Sequence, residues 1–349
     1  MKLFRTILAF RLSLACVLML AGCGGAAQTS EETTEPTTEE ATEQDVVSEA
    51  IALALTAEQV YYVGGDSEYQ SLSALCLELE KDFNKKVIYL NPGTYDIYAE
   101  YRALNMETPP DDVASSDYMD RCVFLPANTY LKGIGDVTLL WNPNPEDITL
   151  GESRTWSPLN VRYGCIVENI TIQCKYGRYC IHDDSHNHGL DQGTRHVYKN
   201  VRCVYEYSDQ KKGFNNTIGF GFSQRSEYYF EDCTFEMKNC PPGDPHHSAF
   251  YGHAASGDSL MREEGPKIVV RNCELLGGKA NKRTARLQCL NTCPLHVETL
   301  FTDCKIEGGL ELQLYTDNAM QAFDVTLRNS GNPMVLCTGK NPYPVNVEK

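Results

Sequence analysis

From residue 165 onward, one short phrase of alternating polar and apolar positions keeps returning. It reads Cys165-Ile-Val-Glu-Asn-Ile-Thr-Ile172, Val197-Tyr-Lys-Asn-Val-Arg-Cys203, Tyr228-Tyr-Phe-Glu-Asp-Cys-Thr-Phe-Glu236, Ile268-Val-Val-Arg-Asn-Cys-Glu-Leu275 and Leu300-Phe-Thr-Asp-Cys-Lys-Ile306, with a weaker copy at Phe323-Asp-Val-Thr-Leu327. Each copy sets an Asn or Asp before a small apolar residue, then any residue, then an apolar one. The anchors Asn169, Asn200, Asp232, Asn272 and Asp303 lie 31, 32, 40 and 31 residues apart. Period-two alternation with many Val, Ile, Phe and Cys predicts strands rather than helices. Asn and Asp tolerate the left-handed backbone needed where one strand bends into the next.

A second alternating segment follows each phrase: Tyr179–Asp184, Thr217–Phe222, Ala249–His253, Arg286–Leu290 and Glu311–Tyr315. Aligning Ile181, Ile218, Phe250, Leu287 and Leu312 as inward-facing gives two strands and a loop per repeat. A unit of this length cannot bury its apolar face alone and must stack, so the chain reads as an all-β solenoid, a parallel β-helix. Before the repeats, Gln70–Phe83 places Leu72, Leu75, Cys76 and Leu79 on one helical face. That predicts a helix plugging the N-terminal end of the solenoid.

Two further segments carry a resemblance. Val87-Ile-Tyr-Leu-Asn-Pro-Gly-Thr-Tyr-Asp-Ile97 is a strand, a Pro-Gly turn and a strand, and Thr129-Tyr-Leu-Lys-Gly-Ile-Gly-Asp-Val-Thr-Leu-Leu140 follows. With the preceding helix, these resemble the entry of the pectin lyase-like right-handed parallel β-helix superfamily, over residues 59–349. The resemblance implies the fold. Its members include polysaccharide lyases, glycoside hydrolases, pectin esterases, phage tailspikes and non-enzymatic surface proteins, so function must come from the site.

The N-terminus is read separately. Lys2, Arg5 and Arg11 precede the apolar run Leu12–Leu20, which ends in Leu20-Ala-Gly-Cys23. This resembles the lipobox of bacterial lipoproteins and predicts a signal peptide over 1–22, a lipid on Cys23, and a place on the extracellular face of the bacterial membrane. Gly24–Glu49 carries eight acidic residues and no basic ones. That composition predicts an extended, disordered Thr/Glu-rich tether over 23–56, with the β-helix domain over 57–349. The chain carries a net charge of −16. Such an acidic protein argues against a nucleic-acid partner. Thirteen cysteines follow Cys23. Cys233, Cys273 and Cys304 share one repeat position, which fits small hydrophobes stacked in a core, while Cys289–Cys293 and Cys174–Cys180 remain possible bridges.

Candidate chemistry sits on the outer face of the second strands. The alignment gives the rows His182–Gly219–Tyr251–Gln288–Gln313, Asp184–Gly221–His253–Leu290–Tyr315, and Cys180–Thr217–Ala249–Arg286–Glu311. With rungs about 4.8 Å apart, Asp184 and His253 stand roughly 10 Å from each other across bare Gly221. Two adjacent glycines predict a floor on which a sugar ring sits. His182, Asp184, His253 and Arg286 are the catalytic candidates; Arg178, Tyr251, Gln288, Gln313 and Tyr315 are the substrate-binding ones. The loop Ile181–His196 holds four His and three Asp, and Asp184 and Asp191 are candidate Ca²⁺ ligands.

Three chemistries compete. A lyase acting on uronic polysaccharides needs a base and a cation for the carboxylate: His253 or Arg286 for the first, Arg178 or a metal at Asp184 for the second. A hydrolase needs two carboxylates about 5–9.5 Å apart. Asp184 and Glu311 lie four rungs from each other, roughly 19 Å. Loop acids would then have to help. Esterases of this fold use an Asp pair with an Arg, a trio with no evident place here. The sequence therefore predicts a carbohydrate-active protein that cleaves a polysaccharide, β-elimination favoured over hydrolysis. The alternative is a non-catalytic glycan-binding solenoid that stacks Tyr251, Tyr315, Tyr205 and Tyr207 on sugars.

Overall fold

Every repeat bends at its anchor. Asn169, Asn200, Asp232, Asn272 and Asp303 take φ of 57°, 50°, 57°, 48° and 54°, and Asn329 continues the series at 47°. This is left-handed backbone, which costs most L-residues about 1–2 kcal/mol but which Asn and Asp visit readily. Their side chains also form a ladder from rung to rung. Asn200 Nδ2 donates to Asn169 Oδ1 at 2.9 Å, Asn272 Nδ2 to Asp232 Oδ1 at 2.7 Å, and Asn329 Nδ2 to Asp303 Oδ1. The corner is therefore fixed by backbone preference and by side-chain hydrogen bonds together.

The structure is a computed structural model describing residues 38–110, 122–183, 194–207, 216–222, 225–241, 247–254, 265–289, 295–314 and 321–349. The chain divides into two compact units, Met1–Thr42 and Glu43–Lys349. The strands of the second unit pair in parallel throughout. They form one sheet of fifteen strands and one of eight, stacked as a parallel β-helix. The repeated phrase straddles a corner: its first half pairs along one face, its second half along another. Ile166–Lys175 and Arg195–Glu206 run continuously through that corner, whereas Glu227–Glu231 and Thr234–Lys238 are separate strands on either side of it. The two strands per rung expected from the alternation thus become three faces.

The inner row of the first face reads Ile88, Leu131, Val167, Tyr198, Phe230, Val270, Phe301 and Leu327, each the register partner of the next. All are 1% exposed or less. Burying each such side chain stabilises by about 1.5–3 kcal/mol. Phe220, Phe230, Phe235 and Phe250 interlock at its centre, with ring centroids 5.0–5.8 Å apart. Cys233, Cys273 and Cys304 stack in the core as their spacing predicts, and the described cysteines are free thiols, Cys174 and Cys180 included.

The predicted end-capping helix is present over Leu72–Glu78. The Ser71 side chain accepts from Ala74 N as its N-cap, and Leu72, Leu75 and Cys76 are buried. Within the stretch read as a disordered tether, residues 23–37 lie outside the described residues, and a helix spans Thr38–Ala54. From Val47 it joins an apolar stripe on the outside of the first face: Val87, Tyr130, Ile166, Val197, Tyr229 and Val269. Packing against that stripe supplies the stability that the Glu-rich composition lacks. Cys23 lies outside the described residues.

Candidate functional site

The second strands, Tyr179–Asp183, Asn216–Phe222, Ser248–Ala254, Ala285–Gln288 and Gly309–Gln313, form the face on which chemistry was expected. The first three are buried at every position. Their register sets His182 opposite Gly219 and Gly219 opposite Tyr251. The next strand is displaced by two residues from the sequence alignment. Arg286 pairs with Tyr251, not Ala249, and Gln288 pairs with His253, not Tyr251. A two-residue slip keeps each side chain on its face, so the apolar pattern does not reveal it. Asp184, Asp191, Tyr315 and Leu290 lie outside the described residues.

The shift assembles a polar array. The Arg286 guanidinium stands over the Tyr251 ring, 5.4 Å from its centroid. Tyr251 Oη donates to Gln288 Oε1 at 2.8 Å, and Arg286 Nη2 donates to Gln313 Oε1 at 2.5 Å. Glu311 takes two arginines at once: Arg286 Nε at 3.0 Å on one carboxylate oxygen and Arg283 Nε at 3.0 Å on the other. Glu311 is only 3% exposed and Arg286 11%, which makes this a largely desolvated ion pair. Arg283 lies in the turn before the strand Ala285–Gln288, ahead of the alternating segment that begins at Arg286, so the pattern does not single it out.

His253 packs against Tyr251, centroids 5.2 Å apart, and is 6% exposed. Its Nδ1 is 3.4 Å from the Ala254 carbonyl. The tautomer with its proton on Nδ1, toward that carbonyl, is the one that carries the lone pair on Nε2.

His182 does not join this array. It lies in the Tyr251 row but two rungs away. Tyr179 packs against it at 5.2 Å, and the Arg178 guanidinium lies over Tyr179 at 4.9 Å. The expected bare floor is also absent at Gly219: a Cβ there would meet the Tyr179 ring at 2.7 Å. Glycine occupies that position to admit the tyrosine. Cys180 and Ala249, aligned outward in sequence, belong to the core. Tyr205 is likewise inside, 1% exposed, with its hydroxyl donated to the Gly177 carbonyl, so it offers no face to a sugar.

Asp183 resolves a tension in the pattern. It points inward at 0% exposure, where an unpaired carboxylate would be costly. Tyr198 Oη donates to its Oδ2 at 2.5 Å, and His196 Nδ1 is 2.9 Å from the same oxygen. Burial, reinforced by Asp183, holds the Tyr198 hydroxyl well above the ordinary tyrosine range. Among the described residues no group of three or more His, Cys, Asp or Glu side chains is arranged to hold a metal ion.

No protein-family model matches the chain, and no curated protein matches it. Among solved structures it is similar to the crystal structure of the pectin methylesterase from Aspergillus niger in deglycosylated form. The two are 12% identical over 82% of this chain and 87% of that one, with a TM-score of 0.32. The parallel strand pairing defines the fold independently of that likeness.

Proposed function

We propose that this chain is an extracellular, lipid-anchored β-helix that acts on a polysaccharide and cleaves it by β-elimination. The observation that carries the proposal is the convergence of His253, Tyr251, Arg286, Gln288, Glu311 and Gln313 on one outer face across three adjacent rungs. His253 Nε2 takes the proton beside a uronate carboxylate. A C4–C5 double bond forms, and the C4–O bond breaks with its oxygen taking up a proton from water. Arg286 serves as the cation facing the carboxylate rather than as a base, because Glu311 and Gln313 hold it as an ion-paired guanidinium with further N–H groups to spare. Asp184 and Asp191 enter only as sequence candidates for Ca²⁺.

A second reading, a non-catalytic glycan binder, is favoured by the mutual neutralisation of Arg286 and Glu311. One assay separates the two. The full chain is incubated with acidic and neutral polysaccharides, with and without Ca²⁺, and followed by ultraviolet absorbance of the unsaturated product and by new reducing ends. Rising absorbance supports the lyase. Reducing ends without absorbance replace it with a hydrolase, and neither signal leaves the binder.

A further inference from the structure

A cavity of about 780 Å³ opens at the N-terminal end of the solenoid, on the first rung. Tyr61, Tyr62 and Tyr69 line it together with Asp66, Glu68 and Asn91. Tyr62 is 48% exposed and stacks on Tyr89, centroids 5.2 Å apart and planes at 23°. Tyr61 and Tyr69 meet edge to face at 6.0 Å.

The wall between these rings is a tied loop. Gly64 and Gly65 turn the chain at φ 79° and 59°. Gly64 N donates to the Tyr69 carbonyl at 2.8 Å, Gln70 Nε2 to the Ser67 carbonyl at 2.7 Å, and Asn91 Nδ2 to the Gly64 carbonyl at 2.8 Å. Tyr69 Oη is held by Glu78 at 3.2 Å. The loop backbone and the Tyr62 and Tyr69 rings are therefore set in place before any ligand arrives, which lowers the entropy cost of binding.

We infer that this cavity is a second carbohydrate subsite, specific for a neutral sugar. The inference rests on the polysaccharide reading and extends it to a different end of the molecule. Exposed tyrosine faces suit the C–H face of a pyranose, and carboxylates accept strong hydrogen bonds from neighbouring sugar hydroxyls. Asp66 and Glu68 repel a uronate, whereas Arg286 and Arg283 on the other face attract one. The two sites thus select opposite parts of a mixed glycan, an uncharged segment at the end and an acidic segment on the face.

The test is affinity electrophoresis of the full chain through gels containing galactomannan, xylan or polygalacturonate, comparing wild type with Tyr62→Ala, Asp66→Ala and Arg286→Ala. The expected result is retardation by a neutral polysaccharide that weakens about tenfold in Tyr62→Ala and in Asp66→Ala, a loss near 1.4 kcal/mol, and that persists in Arg286→Ala. Retardation by a neutral polysaccharide that survives both end variants overturns the subsite while leaving the polysaccharide reading intact. Retardation by polygalacturonate alone does the same. No retardation by any of the three overturns the subsite and the reading beneath it together. Unchanged thermal midpoints in the exposed variants exclude misfolding as the cause.

Discussion

Arg286 Nε lies 3.0 Å from Glu311 Oε2, across adjacent rungs and almost out of solvent. Glu311 keeps a second partner in Arg283, 30% exposed at the rim. Arg286→Ala leaves the carboxylate buried with only that partly exposed contact. The expected cost is about 1–3 kcal/mol, below the usual 3–5 for breaking a buried pair because Arg283 remains. Turnover of an acidic glycan should fall by about 10²-fold or more, as for loss of one charged group in a desolvated site. Urea unfolding and initial rates on the same samples check both. A variant as stable and active as wild type removes Arg286 from the site.

The corner ladder makes a separate prediction. Asn200 combines a φ of 50° with a 2.9 Å bond to Asn169. Asn200→Ala forfeits both and should lower stability by about 1–2 kcal/mol. Asn200→Gly recovers the backbone freedom but not the bond, so it should fall between alanine and wild type. The urea midpoints of the three proteins give the order directly. Equal losses for Gly and Ala would show that the bond alone matters.

The fold was legible because its signals are local and repeated. Asn169, Asn200, Asp232, Asn272 and Asp303 announce each corner, and Cys233, Cys273 and Cys304 each fill the same inward position. The site was less legible because register between rungs depends on loops of variable length. From anchor to inward residue the count is eighteen for Asn200 to Ile218 but fifteen for Asn272 to Leu287. Nothing in the alternation around Arg286 distinguishes a partner at Ala249 from one at Tyr251, since both registers keep Leu287 inside. The helix over Thr38–Ala54 was hidden for another reason: its stability comes from a stripe on distant strands, from Val87 to Val269. Composition alone cannot register that contact.

Buried thiols set the alkaline limit of the protein. Burial pushes Cys165 and Cys289 up to about 12, against about 8.5 in an unfolded chain. Between those values the folded state holds protons that the unfolded state has released. Their contribution to stability is therefore complete below about pH 8.5 and is lost progressively as pH rises toward the folded values. Urea midpoints should decline across that alkaline range. Alkylation with iodoacetamide near neutral pH offers a second check: of the described cysteines, exposed Cys337 should be labelled first, with Cys165 and Cys289 protected until the protein unfolds.

The buried group around Asp183 is tested by coupling rather than by single losses. Tyr198 Oη and His196 Nδ1 converge on one carboxylate oxygen inside the solenoid. Tyr198→Phe removes one donor and leaves the ring stacked on Phe230, centroids 5.1 Å apart, so it should cost about 1–2 kcal/mol. Asp183→Ala strips Tyr198 of its acceptor and removes the carboxylate 2.9 Å from His196 Nδ1 together, and should cost about 3–5 kcal/mol. If the hydroxyl acts through the carboxylate, removing both costs less than the sum, because the second change finds its partner already gone. A double-mutant cycle by urea unfolding should give a coupling of about 1–2 kcal/mol. Strict additivity would mean that the tyrosine hydroxyl stabilises the core without help from Asp183, and the inward carboxylate would then depend on His196 alone.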